Sequence, residues 1–272
     1  MALFDALDAL DAIAWSSLRQ EGWTIERAAE AMARGEIAFA GKYSAPDYEL
    51  LVGGGCALAI ESTMILHAPK VREMLEQLGI PVFIERSAYE SHPLGRTEWI
   101  KLYGALLDRE AEADAFFEAQ AEQVEALADF PNTEKTVAFF YISSDGSAVL
   151  RAPDDYVARM IELAGGRYCF GAGEPAGGKS SVSVTMEAFY AAARDADYLI
   201  YNATIDDPLP DLAALLEKSP LLADFRAVRE GNAWCTDKTL YQATGSVGEF
   251  TRDLHRMLTG ETEGLRFIYR LE

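Results

Sequence analysis

Thr97-Glu98-Trp99-Ile100-Lys101-Leu102-Tyr103-Gly104-Ala105-Leu106 opens a run of helical signals that continues to about Ala128. Trp99, Leu102, Tyr103 and Leu106 share one face, while Asp108, Glu110, Glu112, Glu118, Glu122 and Glu125 fall largely on others, as a 3.6-residue period requires. A helix over residues 97–128 would reach ~48 Å, about the width of a lobe or more. What flanks this charge-rich rod gives it meaning. Before it, three short apolar runs, Glu36 to Ala40, Ala57 to Glu61 and Pro81 to Glu85, alternate with helical stretches, and the stretch His67 to Leu78 stops at Gly79 in a left-handed position. After it, Lys135 to Ile142 reads as a strand, and Ser143-Ser144-Asp145-Gly146 as a hairpin-type turn into Ser147 to Arg151. Helices at Asp155 to Leu163, Thr185 to Ala193 and Gly248 to Leu258 then alternate with strands at Arg167 to Phe170, Asp197 to Asn202 and Ala233 to Thr236. Such alternation is the grammar of parallel sheets with right-handed crossovers. The expectation is an α/β protein of two lobes with mainly parallel sheets joined by one long interlobe helix: residues 1–95, 96–130 and 131–272. Met1 to Leu18 also reads as helix, through Leu3, Leu7, Leu10 and Ile13.

The 272 residues, 50% of them hydrophobic, are ordinary for a packed globular chain. Charge is not ordinary: 24 Lys plus Arg against 44 Asp plus Glu leave a net of -20. That field repels phosphate backbones, so nucleic acid is not an expected partner. No apolar run approaches the ~18 residues that span a bilayer. Cys56, Cys169 and Cys235 are widely spaced and odd in number, which fits buried thiols and neither a disulfide framework nor a metal cluster.

Gly173-Glu174-Pro175-Ala176-Gly177-Gly178-Lys179-Ser180 matches the phosphate-binding loop pattern residue for residue. The physics of that loop requires its Lys and Ser to open a helix whose N-terminus meets the phosphates. Here Ser181-Val182-Ser183-Val184 follows, an alternation that favours extended chain, and the credible helix cap is Thr185. Gly53-Gly54-Gly55 lies between a helix and a strand, the reverse of a dinucleotide fingerprint. His67, His92 and His255 have no metalloprotease spacing, and no Gly-x-Ser-x-Gly elbow occurs. No residue is assigned a catalytic role, no cofactor is expected, and no metal is assigned.

Ligands of open parallel sheets lie beyond the carboxyl ends of the strands. In the first lobe those loops carry Tyr43; Glu61, Ser62 and Thr63; then Arg86, Ser87, Tyr89 and His92. In the second they carry Tyr141, Lys179, Asn202 and Tyr241. Tyrosines and hydroxyls with a few cations suit a large, partly aromatic or anionic ligand.

Pro93-Leu94-Gly95-Arg96-Thr97-Glu98-Trp99-Ile100-Lys101, leading into the long helix, resembles the ABC-transporter substrate-binding proteins of the iron-siderophore, haem and cobalamin group, the class III periplasmic binding proteins. Ala40-Gly41-Lys42-Tyr43-Ser44-Ala45-Pro46-Asp47-Tyr48-Glu49 with Leu58-Ala59-Ile60, and Ala196-Asp197-Tyr198-Leu199-Ile200-Tyr201-Asn202, are similar to two further elements of that family. The resemblance implies two Rossmann-like lobes, a ligand in the cleft between them, modest closure, and delivery to an ABC permease by a monomer. It also implies one acidic docking residue per lobe. These positions fall on Glu187 and, less directly because Lys70 stands near the expected place, on Glu73. Family members begin with an export signal, usually a lipobox cysteine in Gram-positive organisms, and at least one strand ahead of the element resembling Met1 to Leu18. The expectation is therefore an extracytoplasmic, periplasmic or membrane-anchored protein whose chain starts here at an internal methionine.

The leading expectation is a non-catalytic receptor for an iron chelate or a related macrocycle. Tyr43, Tyr89, Tyr141 and Tyr241 would supply flat walls, and Arg86, Arg96 and Lys179 would balance carboxylate, catecholate or propionate charge. His92 or a tyrosine would be the axial ligand if the cargo is haem. The alternative is a cytoplasmic α/β enzyme that binds a phosphorylated or nucleotide substrate through Gly173 to Ser180, and a third reading is an adhesion or scaffold protein with a shallow cleft.

Overall fold

A computed structural model describes residues 1–170 and 180–272 of the chain. The chain forms two compact units: residues 1–90 with 98–116, and residues 91–97 with 117–272.

The first unit holds α1 (Ala2–Ala6), β1 (Trp15–Ser16), α2 (Glu26–Ala33), β2 (Ala38–Phe39), β3 (Gly41–Lys42), β4 (Ala45–Pro46), α3 (Tyr48–Gly53), β5 (Ala59–Ser62), α4 (Pro69–Gln77) and β6 (Val82–Glu85). Its parallel pairs are β1 with β2 and β5 with β6, and β3 with β4 makes a small antiparallel hairpin. Ala59, Val82 and Ile84 pack against a core of Ala40, Leu51, Ile65, Val71, Leu75 and Ile80. The opening stretch is not the single helix its periodicity predicts. Asp8 takes a left-handed backbone (φ 53), which ends the helical path after Leu7, and the chain then turns to enter β1.

The rod expected over 96–130 is helical in two pieces, α5 (Pro93–Leu107) and α6 (Glu110–Glu125). Asp108 sits between them at φ 59, and the Arg109 N–H donates to the Gly104 carbonyl at 2.8 Å, the wide bond that closes a left-handed C-cap. Most caps of this kind use glycine, so the break carried no punctuation in the sequence. The two pieces then pack closely: a Cβ on Gly104 would lie 2.6 Å from the Ala113 Cβ and 3.0 Å from the Arg109 carbonyl oxygen. Gly104→Ala is expected to destabilise the protein by ~1–3 kcal/mol through overpacking. Asp108→Gly is expected to stabilise it by ~0.5–1 kcal/mol by relieving the left-handed strain. Denaturant unfolding of both variants checks the pair, and equal signs would contradict this account of the break.

The second unit is built on one sheet, from β7 (Thr136–Ile142), β8 (Ala148–Arg151), β9 (Arg167–Tyr168), β10 (Ser181–Val184), β11 (Tyr198–Tyr201), β12 (Ala233–Thr236) and β13 (Ile268–Arg270). The order is β10-β8-β7-β11-β12-β13, with β9 beside the start of β7. β7, β11 and β12 run parallel, and β8, β10 and β13 are antiparallel additions. Helices α7 (Tyr156–Leu163), α8 (Met186–Ala193), α9 (Leu212–Lys218), α10 (Arg226–Arg229) and α11 (Val247–Leu258) complete the unit. Side chains alternate across the sheet as the two-residue period dictates. Ala138, Phe140 and Leu199 join Phe189 and Phe225 in one core, while Val137, Phe139 and Ile200 join Met160, Phe250 and Leu254 in the other. Burial on both faces explains why β7 reads as an unbroken apolar run. Among the described residues no helix is long and apolar enough to cross a membrane.

Candidate functional site

The three parallel strands of the second unit end side by side, and their last residues fix a rigid floor. Asn202, buried at the end of β11, donates its backbone N–H to the Phe140 carbonyl at 2.7 Å, and its Oδ1 accepts from the Thr204 hydroxyl at 2.6 Å. Thr236, buried at the end of β12, accepts the Ala203 N–H on its Oγ1 at 2.8 Å. Above this floor a recess of about 140 Å³ is lined by Tyr141, Val149, Leu150, Arg151, Ser181, Asn202 and Ile205 among others.

Arg151 belongs to this recess because the Ser143 to Gly146 turn folds β8 back along β7, so the end of β8 returns toward α7. The Ser143 hydroxyl donates to Asp145 at 2.6 Å, and Gly146 supplies the positive φ (82°) of the turn. The Tyr168 hydroxyl donates to the Arg151 carbonyl at 2.9 Å and steadies the end of the strand.

Tyr156, at the start of α7, links this recess to a second one. The Arg96 guanidinium lies 3.9 Å above its ring centroid, and the Arg151 guanidinium lies 5.9 Å from the same centroid. Such stacking holds a planar cation in place at little entropic cost. The second recess, about 20 Å³, is lined by Arg96, Tyr156, Tyr241, Thr244 and Ser246 with apolar neighbours. Asp155 caps α7, accepting the Val157 N–H at 2.9 Å, and lies 3.8 Å from Arg151. Burial pushes its carboxyl up, against the pull of Arg151 and Arg96. Chemically, the cluster can bind an anion and an apolar surface side by side.

In the first unit, β5 and β6 end together and lead into their own polar loops. Glu61 is half-buried on β5, and burial raises its carboxyl. Ser62 accepts the Met64 N–H at 3.3 Å as a helical cap, and Thr63 follows it. Arg86 is exposed directly after β6; the Ser87 side chain is buried, and its backbone N–H donates to Glu85 at 2.6 Å. Tyr89 is 65% exposed, and Tyr43 is half-buried in the turn between β3 and β4. His92, in the segment 91–97 that belongs to the second unit, is exposed, and its Nδ1 accepts the Leu94 N–H at 3.2 Å.

Of the residues anticipated from the sequence, Arg96 and Tyr241 meet in the smaller recess, and Tyr141 lines the larger one. Lys179 lies outside the described residues, as does most of the Gly173 to Ser180 loop. Beyond it, Ser181 to Val184 form β10, and the Thr185 hydroxyl accepts the Ala188 N–H at 3.3 Å as the cap of α8, so the chain that follows Ser180 is a strand and the next helix opens only after Thr185. Arg151, Tyr156, Thr244 and Ser246 were not anticipated. Arg151 ends an antiparallel strand, whereas the strand-end rule directs attention to parallel ones. The usable signal was the spacing Arg151 to Asp155 around the start of a helix. Among the described residues no cluster of three or more His, Cys, Asp or Glu is placed to hold a metal. Cys235 is buried and Cys56 and Cys169 are half-buried, with the Cys169 thiol pushed up to about 12 by burial.

A family model described as periplasmic binding protein matches residues 26–240. An uncharacterised lipoprotein of Methanocaldococcus jannaschii is 27% identical over 228 residues, covering 81% of this chain and 52% of its own. The chain spans about half the length of the curated relatives it matches. The periplasmic haem-binding protein HutB of Vibrio cholerae shares its fold with a TM-score of 0.74 at 18% identity, with 94% of each chain covered. An ABC-type Fe3+-hydroxamate transport system of Saccharomonospora viridis gives a TM-score of 0.65 at 19% identity, covering 95% of this chain and 89% of that one.

Proposed function

Because this chain belongs to the periplasmic binding protein family, we propose that it captures an iron chelate or a related macrocycle such as haem or cobalamin and delivers it to the permease of an ABC importer. The observation that carries this reading is the strand-end cluster of the second unit. Arg96 stacks on Tyr156 and Arg151 lies 5.9 Å from the same ring centroid, beside a recess of mixed apolar and polar lining and an exposed Tyr241, in a chain whose net charge is -20. An acidic protein that concentrates planar cations and tyrosines at its strand ends has the means to bind a flat or anionic cargo reversibly. The haem and Fe3+-hydroxamate named for two proteins of the same fold support that choice of cargo. The work is done outside the cytoplasmic membrane, and the lipoprotein names of the archaeal relatives favour a lipid anchor.

Absorbance and fluorescence titrations with haem, cobalamin, a ferric hydroxamate and ferric citrate test the reading. Saturable one-to-one binding of at least one is expected, and saturation by none would overturn it. Delivery is assigned to Glu187, exposed in the first turn of α8, and Glu73, exposed on α4. Backbone N–H and Thr185 contacts hold the Glu187 carboxyl below the usual range, so it is charged in any physiological medium. Glu187→Arg with Glu73→Arg is expected to abolish stimulation of the reconstituted transporter while leaving ligand affinity unchanged.

A further inference from the structure

We infer, resting on the capture reading above, that Thr97 on α5 and Gln120 on α6 are positioning residues for the smaller recess of the second unit. They hold its wall, Thr244 to Val247, without being among the residues that line it. Locally that wall is held by a turn, in which the Ser246 N–H donates to the Ala243 carbonyl at 2.9 Å, and by the first helical bonds of α11. Ser246 gives α11 no side-chain cap. Two buried side chains from elsewhere supply what the segment lacks. The Thr97 hydroxyl donates to the Gly245 carbonyl in a long bond of 3.5 Å. The Gln120 Oε1 accepts the Gly248 N–H at 3.0 Å and the Glu249 N–H at 3.4 Å. Ser246 and Val247, which face the recess, are strung between these two pins.

Geometry ties the pins to the recess and not to stability alone. Thr97 directly follows Arg96, whose side chain lines the opposite part of the recess, so one turn of α5 fixes both. At the other pin, a Cβ on Gly248 would lie 2.4 Å from the Gln120 carbonyl oxygen, so α6 and the start of α11 meet with no slack. A recess of about 20 Å³ tolerates little displacement of a wall. Without the pins, a ligand has to order Thr244 to Val247 again on binding, and that conformational entropy weakens the complex. The coupling is reciprocal: if the pins raise affinity, a bound ligand holds the pins closed by the same factor.

Gln120→Met removes the acceptor and keeps the length of the side chain, whereas Gln120→Glu keeps the acceptor. The probe is whichever of haem, cobalamin, the ferric hydroxamate and ferric citrate saturates the full wild-type chain. Gln120→Met is expected to bind it about 10-fold more weakly, and Gln120→Glu to stay within about 3-fold of wild type. Thr97→Val is expected to weaken binding by a smaller factor, because its bond is longer. Leu222→Ala controls for stability. Leu222 is fully buried in the core on the other face of the sheet, so its truncation lowers the melting temperature while affinity is expected to remain that of wild type. Hydrogen exchange on the wild type gives a second measurement: the Gly248 and Glu249 amides are expected to exchange about 10-fold more slowly with the probe bound. Wild-type affinity in Gln120→Met or in Thr97→Val, an equal loss in Leu222→Ala, or unchanged exchange at Gly248 and Glu249 would overturn the inference while the capture reading stands. If circular dichroism shows Gln120→Met unfolded, the exchange measurement decides. Saturation by none of the four probes would overturn both.

Discussion

Replacing Gly248 by alanine is expected to lower the melting temperature by about 10 °C, although alanine is the better helix former by ~1 kcal/mol. Gly248 lies in the first turn of α11 and is buried, and its φ is not positive, so backbone freedom is not why glycine stands there. Space is the reason. A Cβ would sit 2.4 Å from the Gln120 carbonyl oxygen on α6 and 2.9 Å from the Gln120 Oε1. The side chain could swing aside; the backbone carbonyl of a helix cannot without moving the helix. The same approach does useful work, because the Gln120 Oε1 accepts the Gly248 N–H at 3.0 Å and the Glu249 N–H at 3.4 Å. Ser246 makes no side-chain cap, so α6 supplies α11 with the cap its own sequence lacks. Alanine thus adds overpacking to the loss of a buried cap, together about 3–5 kcal/mol. Gln120→Ala alone is expected to cost ~2 kcal/mol, and adding it to Gly248→Ala is not expected to rescue the protein, because the backbone contact remains. Thermal melts of the two single variants and the double variant decide the matter. A Gly248→Ala protein that melts within 2 °C of wild type would show that the α6–α11 contact is looser than described.

What could be read from the sequence, and what could not, divides along the range of the interactions involved. β7, its hairpin turn, β10 with the Thr185 cap and the body of α11 are specified by neighbours a few residues apart, and their apolar periods and turn residues announce them. The rejection of the phosphate-loop pattern rested on the same local evidence, the alternation from Ser181 to Val184. Asp8 and Asp108 defeated local reading, because both occupy left-handed positions where glycine would have been the signal. Their strain is offset by packing, of α1 in one case and of Gly104 against Ala113 in the other, which no window of neighbouring residues contains. The site divides in the same way. Tyr141 and Tyr241 lie where strand-end logic looks, and Arg96, on α5, was expected only as a charge-balancing cation, but Arg151 and Tyr156 join them only through the return of β8 along β7. Gln120 capping a helix 128 positions away is the extreme case.

Asp253 gives the second large effect, and part of it depends on pH. The residue is fully buried on α11, its Oδ2 accepts the Arg266 and Phe267 N–H groups at 2.8 and 2.9 Å, and its Oδ1 has no hydrogen-bond partner. Asp253→Ala leaves both N–H groups without an acceptor at the entry to β13, and a loss of about 3 kcal/mol is expected at neutral pH. Asp253→Asn keeps an acceptor and isolates the charge. Burial raises the Asp253 carboxyl above its ordinary value, outweighing the two N–H donors and the nearby Arg252 and Arg256, which pull it down. A carboxyl whose pKa is higher in the folded state than in the unfolded one holds its proton more readily when folded. The folded state is therefore favoured by this group below the unfolded value of ~3.9, and that advantage is lost as pH rises through the folded value. Asparagine has no proton to lose. The stability of Asp253→Asn relative to wild type is therefore expected to increase as pH is raised from about 4 through the folded value and to be constant above it. Urea unfolding of the two proteins across this range measures the difference directly. A gap that narrowed with rising pH would mean that the two backbone donors, and not burial, govern Asp253, and that its charge is a source of stability instead of a cost.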